Sequence, residues 1–170
     1  ALIRGCADMH ALKSRYHDKA LHARQRPKDR EAAIAFDALE QARVEALGAN
    51  QMDGAKANLN ALLGEKFLLK QYNIAEGKDD IAFEDALHLY ARTALSGERI
   101  PDTCEKTMEY WGEFFKETLN LKNAQNTLAD QSAFANFARD FIRSMDMQVG
   151  EESSGDQETS KSESNAPPPP

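Results

Sequence analysis

Residues 36–54, FDALEQARVEALGANQMDG, join a helix-period apolar pattern to a dense run of charges and end in glycine, which makes them the natural hub of an all-helical chain. Pro27 cannot continue a preceding helix, and the Asp29 side chain can accept hydrogen bonds from the unpaired amides of a new one, so a helix is predicted over about residues 30–47. Ala32, Ala35, Phe36, Leu39, Ala42 and Ala46 recur three or four apart and line one side. Four of those six are alanines, which lets another backbone approach closely and places this helix in the middle of the packing. Gly48 is read as its left-handed stop, and Asn50, Asp53 and Gly54 as the following turn.

The opposite side carries Asp37, Glu40, Gln41, Arg43 and Glu45. Glu40 and Arg43 stand at i, i+3 and can pair on the helix surface, an interaction of about 0.2 to 0.5 kcal/mol when exposed. Two readings stay open for this face. It is either solvated or presented to a partner.

The remaining periodicity is helical too. Residues 2–24 are helix-permissive throughout, with Ile3, Cys6, Met9 or His10, Leu12 or Lys13, and Tyr16 at helical spacing. A helix over about 55–73 carries Leu59, Leu62, Leu63 and Phe67 on one stripe and is expected to pack antiparallel to the hub helix across a short connection. Gly77 interrupts the pattern. Asp79 or Asp80 is then expected to cap a helix over about 81–96, with Phe83, Leu87, Tyr90 and Ala94 buried and Ser96-Gly97 closing it. Ile100-Pro101-Asp102 opens the next helix, whose row of Met108, Trp111, Phe115 and Leu119 has the period of a packing stripe rather than a cofactor box. The pattern weakens into an irregular link over 120–130. A last helix over about 131–146, capped by Asp130, holds Phe134, Phe137, Ala138, Phe141, Ile142 and Met145.

With 170 residues and 41% hydrophobic content, one core suffices. The expected fold is therefore all-α, a single domain of about six helices over 1–147, followed at 148–170 by a disordered linker of five acids, one lysine, many serines and four closing prolines. A formal net charge of −7 disfavours general binding to nucleic acid or to an anionic membrane. No apolar run approaches the roughly 20 residues of a membrane span, no signal peptide is present, and Cys6 and Cys104 lack the paired spacing of zinc or redox sites. A cytoplasmic protein with free thiols is expected. It opens inside a helix without an initiator methionine, so it reads as part of something longer.

Chemistry-bearing motifs are sparse. There is no phosphate-binding G-x-x-x-x-G-K-[ST] loop, no G-x-G-x-x-G turn and no G-x-S-x-G elbow. Three of the four histidines, His10, His17 and His22, lie in the first 24 residues, but none forms the one-turn pair of a helical metal site. His17-Asp18 matches the dipeptide that HD-type phosphohydrolases use for metal, with too little chain upstream for the rest of that ligand set. Asp130-Gln131-Ser132 opens like a metal-ion adhesion motif, but Phe134 stands where its second serine belongs.

A more specific signal comes from residues in order along the chain: His17, Lys19, His22-Ala23-Arg24, Phe36-Asp37-Ala38, the run Glu40-Gln41-Ala42-Arg43-Val44-Glu45-Ala46, then Gly48, Met52, Gly54 and Ala57-Asn58-Leu59. Leu95, Gly97, Pro101, Trp111, Asp130-Gln131 and Ala133-Phe134-Ala135 continue it. Over nearly all of 1–147 the sequence resembles the N-terminal region of CobT-type subunits of aerobic cobaltochelatase. The resemblance implies a role in cobalamin biosynthesis, in a complex that inserts cobalt into a corrin ring with ATP hydrolysis. Its implied partners are an AAA+ ATPase subunit and a large tetrapyrrole-binding subunit, with a homo-oligomer also possible. ATP, Mg and cobalt would act on that complex, and this chain itself is expected to hold no cofactor, no metal and no catalytic residue. Subunits of this type have a helical N-terminal region, an acidic linker and a C-terminal von Willebrand factor A domain, of which this chain has the first and the start of the second. The expectation is a docking role through Asp37, Glu40, Gln41, Arg43 and Glu45. The alternatives are an HD-type hydrolase using His17 and Asp18, or a helical scaffold with unrelated partners.

Overall fold

The computed structural model describes residues 1–147, and the linker expected at 148–170 lies outside the described residues. Among them the fold is all-helical, with eight α-helices and three single turns of 3-10 helix. The elements are α1 (Leu2–Tyr16), α2 (Lys19–Gln25), α3 (Arg30–Gln51), α4 (Asp53–Leu69), α5 (Phe83–Ser96), α6 (Glu105–Thr118), α7 (Lys122–Gln125) and α8 (Gln131–Ser144).

The central pair is α3 and α5. The alanine-rich side of α3 is buried from Ala32 to Ala46, and the small side chains let α5 lie close along it with Ala86, Leu89 and Ala91 fully covered. On one flank α1 pairs with α4, joined to α3 through Leu12, Val44 and Leu59. On another, α6 closes over α5, with the Phe115 ring centroid 5.5 Å from that of Tyr90. The apolar stripe of α8 is covered by α3, and Phe134, Ala138, Phe141 and Ile142 are all buried. Asp29 and Asp130 cap α3 and α8 as expected, accepting from the Ala32 and Ala133 amides at 2.9 and 3.0 Å.

Several expectations need correction. The continuous helix over 2–24 is two helices, broken at His17, whose backbone is extended, and α2 starts afresh with Asp18 accepting from Leu21 N at 3.0 Å. The break survives because tertiary partners satisfy its backbone: Arg43 binds the Tyr16 carbonyl, and the Gln131 amide bonds both Asp18 N and Asp18 O. The α1 stripe holds at Met9, Leu12 and Tyr16 and fails only in its first turns. Ile3 and Cys6 are exposed, while Gly5 and Leu12 face inward.

Gly48 is no helix stop. α3 runs on to Gln51, since Gly48 is helical and buried beneath Leu12, whose side chain occupies the space that a β-carbon would need. The turn into α4 is then made at the single extended residue Met52. The main neighbour of α4 is α1, with α3 touching it less. Neither Asp79 nor Asp80 caps α5. Asp80 instead accepts from the Glu76 amide at 2.8 Å, and α5 begins at Phe83 with no side-chain cap. Ala94 is exposed, whereas Leu87, Leu89, Ala91 and Leu95 are buried, because helices cover α5 on two sides. Gly97 does close α5 in the left-handed region, at φ 69°. The link over 120–130 contains the short α7, which with the divided N-terminal helix raises the helix count to eight.

Candidate functional site: the charged side of the central helix

The five polar positions of α3 do not form a solvated face. Glu40, Arg43 and Glu45 are buried, at 6%, 1% and 5% exposure, and only Asp37 and Gln41 stay partly open. The expected Glu40–Arg43 pair exists, but as a buried bidentate contact with two hydrogen bonds of 2.8 Å rather than an exposed one. Arg43 reaches further, donating to the carbonyls of Leu128 at 2.8 Å and Tyr16 at 2.6 Å and to Gln131 at 3.4 Å. One guanidinium thus ties α3 to the α1–α2 corner and to the start of α8.

Two histidines of the N-terminal segment complete this side. His17 Nδ1 lies 2.7 Å from Glu40 Oε1 and His22 Nε2 lies 2.7 Å from Asp37 Oδ1, while Arg26 grips the Asp37 carboxylate with a shortest contact of 2.7 Å. Burial pushes the Asp37 carboxyl up, but His22 and Arg26 outweigh it and bring it down to about 2. His17 and Asp18, the dipeptide of the hydrolase alternative, face different tasks: His17 joins Glu40, and the Asp18 carboxylate caps its own helix. That geometry speaks against the pair acting together as metal ligands.

The other edge of α3 meets α5. Glu45 Oε1 accepts from Gln41 at 2.7 Å, and Oε2 faces Arg92 Nε at 2.9 Å and His88 Nε2 at 3.3 Å. Arg92 goes on to Asn60 at 2.8 Å and Glu98 at 3.2 Å, and Lys56 reaches Glu98 at 3.4 Å. Burial pushes the Glu45 carboxyl up, and the His88 ring and Arg92 guanidinium more than reverse this, holding it at about 2. Nearby, Asp85 binds Lys66 at 2.8 Å, Lys70 at 2.5 Å and the Tyr72 hydroxyl at 2.8 Å. Burial raises the Asp85 carboxyl, and the two lysines lower it below the usual range.

The sequence reading missed Asp85, His88 and Arg92, all on α5 and all buried. Their i, i+3, i+7 spacing places them on one side of α5, where His88 and Arg92 meet Glu45 of α3 and Asp85 meets Lys66 of α4, a signal hidden among apolar neighbours. Between the α1–α4 pair and the α3–α5 pair these groups border a cleft of about 380 Å³, in which Gln41, Glu45, Asp85 and His88 meet apolar walls from Met9, Ile34 and Leu59. A second, polar recess of about 350 Å³ lies beside it, around Lys13, His17, His22 and Arg26. Asp37 and Gln41 border both. Cys104 lies away from either recess, and burial pushes its thiol up to about 12. Among the described residues no helix is long and apolar enough to cross a membrane.

These features define a helical protein built around a buried charged helix, with its polar groups arranged as a frame. Residues 1–168 match the family model for the cobalamin biosynthesis protein CobT, and the chain belongs to that family. No solved structure matches it.

Proposed function

We propose that this chain is the docking and assembly part of an aerobic cobaltochelatase, the complex that inserts cobalt into a corrin ring at the expense of ATP. Its partners in this reading are the AAA+ ATPase subunit and the large subunit that holds the tetrapyrrole. ATP, Mg and cobalt belong to the complex, and this chain contributes shape and binding surface rather than a reacting group. The observation that carries the reading is the way α3 commits its charges: Glu40, Arg43 and Glu45 are each buried against partners within the chain, which suits a rigid frame. Family membership supplies the setting.

The same burial changes which residues a partner can meet. Asp37 and Gln41 are the accessible members of the five, and they stand where the two recesses join. The test is the mass in solution of the chain alone and mixed with the AAA+ ATPase subunit and ATP, by light scattering after size exclusion. A ring-sized complex that requires ATP is expected. Two independent peaks would overturn the docking role.

A further inference from the structure

The polar recess beside the cleft brings together cationic and imidazole groups that the frame around α3 leaves partly unused. Lys13, His17, His22 and Arg26 line it from α1, the α1–α2 corner and α2, and Asp37 and Glu40 line it from α3. Both carboxylates are already matched. Arg26 grips Asp37 through Nε and Nη2, and Arg43, behind the recess, holds Glu40 through two hydrogen bonds of 2.8 Å. Three fixed cations, Lys13, Arg26 and Arg43, thus stand against two carboxylates, which leaves one positive charge before any histidine is protonated. That charge sits on Lys13, an exposed residue with no ion pair among the described residues. Its surroundings are basic in an otherwise acidic chain: residues 10–28 hold six lysines and arginines, and their single acid, Asp18, caps α2 instead of lining the recess.

The two imidazoles supply what a fixed cation cannot. A carboxylate oxygen only accepts, so His17 presents Nδ1–H to Glu40 and His22 presents Nε2–H to Asp37, each at 2.7 Å. Their other ring nitrogens, His17 Nε2 and His22 Nδ1, have no hydrogen-bond partner among the described residues and keep access to water. The rings lie 4.8 Å apart between centroids, close enough to serve one ligand. Each is held in place by its carboxylate, so a proton taken up at the open nitrogen creates a donor that is already oriented. Arg26 adds an unengaged Nη1. We propose that this recess binds a doubly charged phosphate-type group, held by Lys13, Arg26 Nη1 and the open ring nitrogens of His17 and His22. Lys13 and one imidazolium match its double charge. Donors arriving from α1, the α1–α2 corner and α2 suit a group with several equivalent oxygens better than a flat carboxylate. The site is independent of the docking role, which needs only the open Asp37 and Gln41.

The probe is inorganic phosphate, titrated into the full chain at constant ionic strength and followed through the NMR signals of the histidine rings. The His17 and His22 signals are expected to move together and saturate with one dissociation constant on the order of 1 mM, while those of His10 and His88 stay still. Lys13→Glu is expected to weaken binding about tenfold and Lys13→Arg to retain it. Lys19→Glu, which reverses an exposed charge outside the recess, should change it less than about twofold. Lys13 and Lys19 are both exposed, so the melting temperature without phosphate should hold in every variant. Ribose 5-phosphate, titrated in parallel, separates the two sources of such a group: binding tighter than phosphate assigns the recess to a phosphate ester, and weaker binding assigns it to the free ion. Shifts that never saturate, equal shifts at all four histidines, or identical effects of Lys13→Glu and Lys19→Glu overturn the inference.

Discussion

At Arg43 the penalty for burying a guanidinium is offset by five hydrogen bonds, two to Glu40 and the others to Tyr16 O, Leu128 O and Gln131. Removing only one partner leaves the rest stranded away from water. Arg43→Met should therefore lower stability by about 3 to 5 kcal/mol, read from the urea midpoint, because Glu40 and two backbone carbonyls lose their donor together. The buried carboxylate Glu45 ties stability to pH in a direction that follows from its shift. Its folded value, about 2, lies below the ordinary 4.5, so its contribution is fully present above about pH 5 and disappears as the pH falls towards 2. Unfolding free energy measured across that window should fall with acid. In Glu45→Gln it should start lower at neutral pH, with His88 and Arg92 deprived of the Glu45 carboxylate, and then decline less steeply.

At the scale of elements, glycines set how closely helices approach. A β-carbon on Gly5 of α1 would lie 2.6 Å from the Asn58 carbonyl oxygen and 2.8 Å from the Leu62 β-carbon on α4, and a backbone atom cannot step aside cheaply. Gly5→Ala improves helix propensity by about 1 kcal/mol yet should destabilise by about 1 to 3 kcal/mol, since overpacking pushes α1 away from α4. Amide hydrogen exchange should show faster opening in α1 and α4, with α8 little changed; uniform protection would contradict this packing account. The same physics explains Gly48. Gly48 serves close packing and not a left-handed stop: the helix continues through it, and Leu12 occupies the space its missing β-carbon leaves. Gly97, with nothing within 4 Å of its missing side chain, behaves as the local rule says.

For the whole molecule, charge is unevenly divided along the chain: residues 1–147 hold 20 basic and 23 acidic groups, and 148–170 hold one basic and five acidic. We propose that 1–147 is one independently stable domain and that 148–170 is a linker. A truncated chain ending at residue 147 should match the melting temperature of the full chain to within about 2 °C, because surface charges well apart contribute little under physiological screening. A drop well beyond that would show that the last segment packs on the domain. Much of this molecule was legible in its sequence. Helical periodicity, Asp29 and Asp130 as caps, Gly97 as a stop and the α8 stripe are local matters, decided by interactions within one or two turns, and they were read correctly. The E-Q-A-R-V-E-A run led to the right family. Tertiary structure alone decided where the charges of α3 go. An amphipathic pattern shows which side chains share a face, but whether water or another helix meets that face depends on distant partners. Here Tyr16, Leu128 and Gln131 receive Arg43, and Arg92 receives Glu45, across separations that no local pattern encodes.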